Sequence, residues 1–450
     1  MKHLIKHIVI VGGRAAGPAA AAKARRENPD AKITMLEAGR YISTGTCEMP
    51  YLVSGEISSS EELLFFTAEE FKAHYNVEVL LETKAVNLFP RKKLLQLDKN
   101  GVEYEMEYDR LVLATGALNN YHPQFPPEFE NVFYIRNIED TEHLLSKGDL
   151  TNRRWLVVGA AYTGLEFAEA LRRKGNDVIL LDKEKLPASG FDPEIRELIK
   201  EALTRNGVEF VGGVSDLKVF SEGNRVRKIK YEGRLRDIDG VIVSIGIRPD
   251  SRLAQKAGLE LGRKGGIKVD SKMRTSDPYI FAAGDCVELK DRLLGRHVYL
   301  PQATLARDGG HVAGANAAGG NEFMYPVVRN SAIRIFDNFA AKIGKCTSTL
   351  EDYRIPYKTV TATADAFVSI MPHNHKVFGK LIISNEGKVL GGGFFGGVEV
   401  SGYADIIALA VKFGLKATDL RHGYYNYTPT LSPFKNLIES LAIKAAALKG

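Results

Sequence analysis

The chain has 450 residues, of which 44% are hydrophobic and 26% are charged. This length predicts about three domains at roughly 150 residues each. The composition excludes a disordered, collagen-like or low-complexity protein. The net charge of +6 suits small anionic ligands. Because the basic residues form only small groups with acidic residues between them, we expect no nucleic-acid partner.

Cysteines and apolar runs limit where the protein can reside. Cys47, Cys286 and Cys346 are too few for a disulfide framework, and no pair has the spacing of a zinc site. We therefore predict no bound metal and a reducing compartment. The sequence contains no apolar run of roughly 18 residues, the length of a membrane span, and residues 8–11 are too few for a signal-peptide core. We expect a cytoplasmic protein without a membrane span.

A nucleotide-binding pattern begins near the amino terminus. Residues 8–11 predict a buried strand, followed by a glycine turn, an alanine-rich helix and a second strand at 32–36 that leads into Glu37. The backbone N–H groups of such a turn and the helix dipole can hold a pyrophosphate, while the acidic residue accepts hydrogen bonds from an adenosine ribose. The turn of this predicted βαβ unit contains Gly12, Gly13, Ala15 and Gly17.

The same pattern recurs further along the chain. Residues 155–158 predict a strand, which is followed by a turn from Gly159 to Gly164, a helix, and a strand ending in Asp182. Each motif lacks the middle glycine of G-x-G-x-x-G, so either alone is a weak signal. Together they predict two bound dinucleotides. Asp182 would repel a 2′-phosphate and favour NADH, whereas Lys183 and Lys185 would soften that preference and permit some use of NADPH.

Three further glycine motifs accompany the two units: LVLATGA at 111–117, VIVSIGIRP at 241–249 and TSDPYIFAAGD at 275–285. With them, the sequence resembles the pyridine nucleotide-disulfide oxidoreductases over essentially its whole length. The resemblance implies an α/β fold with two Rossmann-like dinucleotide-binding domains and an α+β carboxyl-terminal dimerisation domain. The implied boundaries are 1–120 with 247–324 for the FAD domain, 121–246 for the NAD(P)H domain, and 325–450 for the dimerisation domain.

The resemblance also implies cofactors and the residues that bind them. FAD would be bound, and NADH, with some NADPH, would reduce it. Asp285 would bind the ribityl chain, and a helix from about Ala303 would point its amino end at the flavin pyrimidine. Tyr162 would cover the empty nicotinamide pocket, and Glu166 would face the flavin from that side. The full implied set is Gly12, Gly13, Ala15, Gly17, Glu37, Val86, Thr115, Gly116, Arg136, Gly159, Tyr162, Gly164, Glu166, Asp182, Gly246, Asp285 and Ala303.

The redox chemistry is implied at Cys47. Two-cysteine members of the family carry C-x₄-C, but the positions five residues away are Ile42 and Leu52. Their catalytic histidine is replaced by a threonine in the similar stretch at 427–432. These differences exclude a two-cysteine mechanism and leave the single-cysteine branch, which contains NADH peroxidases, NADH oxidases, coenzyme A disulfide reductases and persulfide or polysulfide reductases.

Within this branch, the segment C-x-x-P-Y at Cys47 is similar to the coenzyme A disulfide reductase group. Peroxidases carry a histidine where this chain has Ala15, which disfavours a peroxidase. A probable helix after Cys47 would lower the pKa of the thiol. Two departures weaken the assignment of a specific substrate. Glu48 lies beside the thiol, where it could raise the thiol pKa or point to solvent, and Met371 replaces an expected tyrosine.

The coenzyme A group also implies ligand and subunit contacts. Lys23, Arg26 and Ser43 match positions that contact coenzyme A, although a solvated surface explains the first two equally well. Tyr427 matches a catalytic tyrosine near the flavin of the other subunit, although simple packing explains it equally well.

We therefore predict a homodimeric enzyme in which NAD(P)H reduces the flavin, which then cleaves a disulfide between Cys47 and a thiol. The substrate would be coenzyme A disulfide, persulfide or polysulfide, with coenzyme A acting as substrate or as a Cys47 adduct. Two alternatives stay open: an NADH oxidase in which Cys47 cycles through sulfenic acid, and an electron-transfer flavoprotein with a protein redox partner. Cys286 and Cys346 are interpreted as structural.

Overall fold

The structure is a computed structural model and describes residues 5–448. The helices in this range are α1 (Ala16–Glu27), α2 (Met49–Ser54), α3 (Ala68–Tyr75), α4 (Ile138–Leu145), α5 (Tyr162–Arg173), α6 (Pro193–Arg205), α7 (Arg252–Lys256), α8 (Ala303–Ala317), α9 (Thr347–Asp352), α10 (Val400–Phe413), α11 (Ala417–Arg421) and α12 (Leu437–Ala447). Short 3₁₀ turns lie at Ser60–Leu63 and Pro90–Lys92.

The strands are β1 (His7–Val11), β2 (Lys32–Leu36), β3 (Glu78–Leu80), β4 (Thr83–Phe89), β5 (Leu94–Lys99), β6 (Val102–Glu107), β7 (Arg110–Leu113), β8 (Ala117–Asn119), β9 (Val132–Phe133), β10 (Arg154–Val158), β11 (Asp177–Asp182), β12 (Val208–Gly212), β13 (Lys218–Glu222), β14 (Arg225–Tyr231), β15 (Arg234–Asp237), β16 (Gly240–Val243), β17 (Ile247–Pro249), β18 (Ile267–Lys268), β19 (Ile280–Ala282), β20 (Val287–Lys290), β21 (His297–Val298), β22 (Asn330–Ile335), β23 (Asn338–Gly344), β24 (Lys358–Asp365), β25 (Lys376–Ile383) and β26 (Val389–Gly396).

Two five-stranded parallel sheets form the nucleotide units. Their strand orders are β19-β7-β1-β2-β3 and β12-β11-β10-β16-β9. The central strands β1 and β10 are buried along almost their whole length, as expected for parallel strands covered on both faces. Each central strand pairs with the second strand of its predicted βαβ unit, β1 with β2 and β10 with β11. Both units therefore form as the sequence predicts.

The carboxyl-terminal region is built on an antiparallel sheet with the order β22-β23-β26-β25-β24. Helix α10 packs on β26 and β23, and α12 packs on β24 and β25. The hairpin predicted at residues 385–387 joins β25 to β26. The predicted fold class, two Rossmann-like units with an α+β carboxyl-terminal part, is thus confirmed, while the domain boundaries stay predictions.

None of the helices described between residues 5 and 448 is long and apolar enough to span a bilayer.

Each nucleotide unit depends on a close approach between two glycines of its turn. A Cβ atom on Gly17 would lie 1.7 Å from the carbonyl oxygen of Gly12, and a Cβ on Gly164 would lie 1.8 Å from that of Gly159. Gly12 and Gly159 also adopt left-handed φ values of 112° and 99°, which favour glycine. The helix can therefore begin directly against the strand end only when these positions lack side chains.

We expect Gly164→Ala to lower the free energy of unfolding by about 3 kcal/mol, because the added methyl group would meet backbone that has no room to move. Gly402→Ala is the matched control, since Gly402 is exposed in α10 with no atom within 4 Å of the added Cβ. That control should gain up to about 1 kcal/mol from helix propensity. Denaturant unfolding measures both changes, and equal stabilities for the two variants would contradict the close-approach argument.

Candidate active site

Both acidic residues predicted to bind ribose are held at their glycine turns. Glu37 accepts hydrogen bonds from the N–H groups of Gly13 at 2.7 Å and Gly39 at 2.8 Å. Asp182 accepts equivalent bonds from Ala160 at 2.5 Å and Glu184 at 2.8 Å. Each carboxylate oxygen keeps a lone pair for a further donor, such as a ribose hydroxyl. The two units thus present the same acceptor at the same strand end.

The first unit has polar groups suited to a flavin dinucleotide. Arg136 donates from Nη2 to Asp285 Oδ2 at 2.9 Å, so a charged pair lies near the start of α8 at Ala303. The Tyr299 hydroxyl is buried and has no hydrogen-bond partner among the described residues. Burial and the neighbouring carboxylate of Asp285 raise the pKa of Tyr299 well above its usual value. An unpartnered buried hydroxyl near Asp285 and Arg136 fits a bound FAD, which could supply its hydrogen-bond partner.

Three other predicted cofactor residues lie where the two units meet. Strands β8 and β17 pair antiparallel between the units. The Gly116 oxygen accepts from Asp250 N at 2.9 Å, and the Gly246 oxygen accepts from Asn120 N at 3.0 Å. Thr115 donates its hydroxyl to the Asp250 oxygen at 2.5 Å. These hydrogen bonds therefore hold together the two chain segments, 115–120 and 246–250, that run between the units.

Val86 lies elsewhere in the fold, where the pairing of β4 with β5 shifts register between Ala85 and Asn87. The side chain is half-buried. Its predicted contact with the cofactor stays a prediction.

The second unit presents an aromatic side chain over its turn. Tyr162 begins α5, and its ring packs at 5.8 Å from the ring of Phe191. Its hydroxyl is buried without a hydrogen-bond partner in the described chain. A polar group left unpaired in the interior is unfavourable, so this arrangement suits a ring that moves aside when a nicotinamide dinucleotide binds.

Glu166 lies one helical turn further along α5. It lines a small cleft together with Pro50, Tyr51 and Arg334. Burial, with the nearby carboxylates of Glu169 and Glu48, raises the pKa of Glu166 to about 7. A carboxyl group that titrates near neutrality can accept or return a proton during turnover.

Cys47 is the exposed thiol among three free cysteines; Cys286 is buried and Cys346 is half-buried. Although Cys47 can be reached from the surface, protein surrounds it on most sides. This desolvation raises the pKa of Cys47 to about 11, with smaller contributions from Glu48, Glu166 and Asp285. Glu166 belongs to the second unit and Asp285 to the first. The thiol therefore lies between the two units.

The expectation of a lowered thiol pKa is wrong. Helix α2 has only six residues and begins at Met49, after Glu48. Its dipole is small, and the negative charges around the thiol act in the opposite direction. Arg136 lowers the pKa of Cys47 only as the smallest of the named contributions.

A buried carboxylate that the sequence analysis missed connects the site to the carboxyl-terminal sheet. Glu169 on α5 is 4% exposed and accepts hydrogen bonds from Arg173 Nε at 2.8 Å, Arg334 Nε at 3.2 Å and the Phe336 backbone N–H at 2.6 Å. Arg334 also pairs with Glu56, just after α2. The sequence offers no signal for these contacts beyond the i, i+4 spacing of Glu169 and Arg173.

The residues matched to coenzyme A contacts are dispersed. Ser43 donates its N–H to the Gly13 oxygen at 2.7 Å and so lies against the first turn. Lys23 pairs with Glu27 at 3.5 Å and Glu322 at 3.3 Å, while Arg26 is exposed.

Tyr427 is 50% exposed, and its ring meets the edge of Phe434 at 5.6 Å. Met371 lies in the loop between β24 and β25. The same loop contacts the Tyr427 segment through a hydrogen bond from Val368 N to the Pro429 oxygen at 3.2 Å. The roles of these residues stay predictions.

Comparisons with known proteins agree on one family. The model for the pyridine nucleotide-disulphide oxidoreductases matches residues 6–310. A protein named NADH oxidase from Methanocaldococcus jannaschii is 32% identical over 94% of this chain and 95% of its own. A protein named NAD(P)H coenzyme A polysulfide/persulfide reductase from Pyrococcus horikoshii is 28% identical over 100% of this chain and 99% of its own. The solved structure of an NAD-dependent persulfide reductase from A. fulgidus superposes with a TM-score of 0.93, at 32% identity, over 98% of this chain and 83% of that one.

We expect Glu48→Gln and Glu166→Gln each to accelerate alkylation of Cys47 by iodoacetamide about three- to tenfold at pH 8. Removing a neighbouring negative charge lowers the thiol pKa and raises the thiolate fraction. Glu105→Gln on the exposed face of β6 removes the same charge and should leave the rate unchanged. Peptide mass spectrometry measures modification at Cys47 separately from Cys346. Equal rates for all three variants would contradict the electrostatic account.

Proposed function

Since the chain belongs to the pyridine nucleotide-disulphide oxidoreductase family, we propose that it is an FAD-dependent enzyme that reduces coenzyme A disulfide, persulfide or polysulfide through Cys47. The supporting observation is the position of this thiol, whose pKa responds to Asp285 of the first unit and Glu166 of the second. A sulfur atom beside a flavin site that a nicotinamide site adjoins can receive, through the flavin, the electrons that NAD(P)H supplies. Two of the relatives above are named as reductases of persulfide or polysulfide, which supports the same substrate class.

Two sets of residues would hold the dinucleotides. The Gly12–Gly17 turn, Glu37 and Asp285 would hold FAD, and the Gly159–Gly164 turn and Asp182 would hold NAD(P)H. When bound, FAD supplies the two-electron relay between NAD(P)H and the sulfur. Tyr162 excludes water from the nicotinamide pocket until the dinucleotide displaces its ring, and Asp182 favours NADH over NADPH.

The sulfur chemistry of Cys47 balances as a thiol–disulfide exchange. The Cys47 thiolate attacks one sulfur of the substrate disulfide, which forms a mixed disulfide and releases the first product thiolate. Two electrons from NAD(P)H then break the mixed disulfide and return the Cys47 thiolate with the second product. With one further proton, each NAD(P)H and disulfide yield NAD(P)⁺ and two thiols. Glu166 is placed to hold that proton beside the thiol.

A cationic surface near the first unit supports an anionic substrate. Burial lowers the pKa of His311, and the positive charges of Arg26, Arg307 and Lys23 lower it further. This cluster lies on α1 and α8, whereas Ser43 lies against the turn that precedes α1. Phosphate groups of coenzyme A would be attracted here. The cytoplasmic location inferred from the sequence stays a prediction.

An NADH oxidase is the second candidate, favoured by the name of the relative from Methanocaldococcus jannaschii. In that case Cys47 would pass through sulfenic acid, and oxygen would be the electron acceptor. The two candidates differ in stoichiometry, since one releases thiol and the other consumes oxygen for each NADH.

We expect Cys47→Ser to retain FAD and flavin reduction by NADH but to lose disulfide turnover by several orders of magnitude, because a hydroxyl cannot replace a thiolate nucleophile. Cys346→Ser is the control and should retain full activity. The measurement records NADH oxidised, thiol released and oxygen consumed in the same reaction. Undiminished thiol release by Cys47→Ser would refute the mechanism, and oxygen consumption without thiol release by the unsubstituted protein would favour the oxidase.

We further propose that the enzyme is a homodimer in which the carboxyl-terminal region completes the partner's site. Several large apolar side chains are exposed on this region, and an interface between two copies would cover them. They are Ile370, Val398, Leu409, Phe413, Tyr424, Leu431 and Phe434. Tyr427 lies in the same segment as the last three, which supports its approach to Cys47 of a second copy.

We expect mixed dimers of Cys47→Ser chains with Tyr427→Phe chains to recover activity, because one of their two sites would combine an intact Cys47 with an intact Tyr427. The test requires that Tyr427→Phe homodimers be impaired on their own. Differently tagged chains allow purification of the mixed dimer, and disulfide-dependent NADH oxidation measures the activity. Absence of recovery in verified mixed dimers, or an active monomer in sedimentation, would refute completion of the site by the partner.

A further inference from the structure

Lys342 lies at the edge of the pocket that Tyr162 covers. It belongs to β23 and pairs in register with Ser331 of β22. Its Nζ atom is 5.2 Å from the centre of the Tyr162 ring and 4.9 Å from that of Phe191. A Cβ atom on Gly190 would lie 2.7 Å from the same nitrogen. A cation from the carboxyl-terminal sheet is thus enclosed by two rings and a glycine of the second nucleotide unit.

The charge of Lys342 has no direct counterion. None of the ion pairs found between residues 5 and 448 includes it, and Arg329 is a second cation nearby. The carboxylate of Asp192 is engaged elsewhere, since it accepts from the N–H of Thr347 at 2.9 Å and lies 3.5 Å from Lys380. Burial and the charge of Arg329 lower the pKa of Lys342 to about 8. Burying an ammonium group without a counterion is unfavourable. A role for this charge in ligand binding would explain why Lys342 lies here.

We propose that Lys342 makes the nicotinamide pocket bind the neutral, reduced nicotinamide in preference to the cationic, oxidised ring. The inference rests on the proposed function, in which the dinucleotide displaces the Tyr162 ring that now faces Lys342. A ring in that place would lie within several ångströms of the ammonium group. Two like charges at such a distance in a partly buried site repel enough to weaken binding of the oxidised form about tenfold. The repulsion would promote release of NAD⁺ after each hydride transfer.

A competing role for Lys342 is attraction of the diphosphate, which every form of the dinucleotide carries. The two roles differ in which ligands they affect. Attraction to the diphosphate would strengthen the binding of reduced, oxidised and nicotinamide-free ligands alike. Repulsion of the oxidised ring would weaken the binding of NAD⁺ alone. Three probes separate them: NAD⁺, the unreactive neutral analogue 1,4,5,6-tetrahydro-NAD, and ADP-ribose, which lacks the nicotinamide.

The test is calorimetric binding of these probes to the FAD-loaded protein at pH 7. We expect Lys342→Met to lower the ratio of the NAD⁺ dissociation constant to the tetrahydro-NAD dissociation constant about tenfold, with ADP-ribose changed less than twofold. Lys342→Arg keeps the charge and should keep the ratio. An unchanged ratio in Lys342→Met, or equal weakening of all three probes, would overturn the inference while leaving the proposed function intact. Failure of the unsubstituted protein to bind any probe would overturn both.

The pH dependence gives an independent measurement. The titratable groups near Lys342 are Arg329, Asp192, Cys346 and Tyr162, whose ring the ammonium group faces and whose pKa burial raises far above its usual value. Because Lys342 loses its proton above pH 8, the preference for the neutral probe should fade between pH 7 and pH 9. Lys342→Arg should show no such fading. A pH-independent preference in the unsubstituted protein would contradict the assignment to Lys342.

Discussion

In each nucleotide unit, the helix begins so close to the end of the strand that there is room for the hydrogen atom of a glycine but not for a side chain. The start of α1 lies against the Gly12 carbonyl, and the start of α5 lies against that of Gly159, with Gly17 and Gly164 at the points of contact. Because the helix begins so close to the strand end, the turn N–H groups and the helix amino terminus point at the same space. The acidic residue at the end of the neighbouring strand faces that space as well. The same steric constraint therefore shapes the predicted anion-binding site of each unit.

The two units are held to the carboxyl-terminal sheet by buried charges. Glu169 accepts three hydrogen bonds, two of them from groups on β22 and directly after it. Lys345 and Asp291 form a second buried pair between this sheet and the first unit. A buried charge is tolerated only when its partners are in place, so these pairs fix one arrangement of α5, the first unit and the sheet, and α2 packs against α5. Cys47 precedes α2 and is positioned by that arrangement.

The surroundings of Cys47 differ from those of most reactive cysteines, in which nearby positive charges lower the thiol pKa. Burial, with the carboxylates around Cys47, raises the pKa of the thiol further above neutrality, whereas thiolate is the nucleophile. Glu166 titrates near neutrality and can hold a proton next to the thiol. Proton movement and sulfur reactivity are therefore coupled in this site, and the charge state of Glu166 influences both.

The sequence by itself determined the two βαβ units, the acidic residues at their strand ends, the α+β carboxyl-terminal part and the single candidate thiol. These features follow from local rules: periodic apolar runs, glycines at turns and an acidic residue after a strand. Cys47 could be selected because it follows the first βαβ unit at the position where the family that the sequence resembles carries its thiol, and the missing second cysteine excluded a two-cysteine mechanism.

Only the tertiary structure decided the charge environment of these residues. The raised pKa of Cys47 results first from burial, then from the neighbouring Glu48, and also from Glu166 and Asp285, which lie 119 and 238 positions away in the sequence. Lys342 of β23 and Tyr162 of α5 are likewise brought together from distant parts of the chain. Electrostatic interactions depend on distances in space and on burial, which a local sequence pattern does not encode. The glycine turns were predictable because their constraint is local. The thiol pKa was not, because burial, its largest cause, and the approach of Glu166 and Asp285 are set by the tertiary fold.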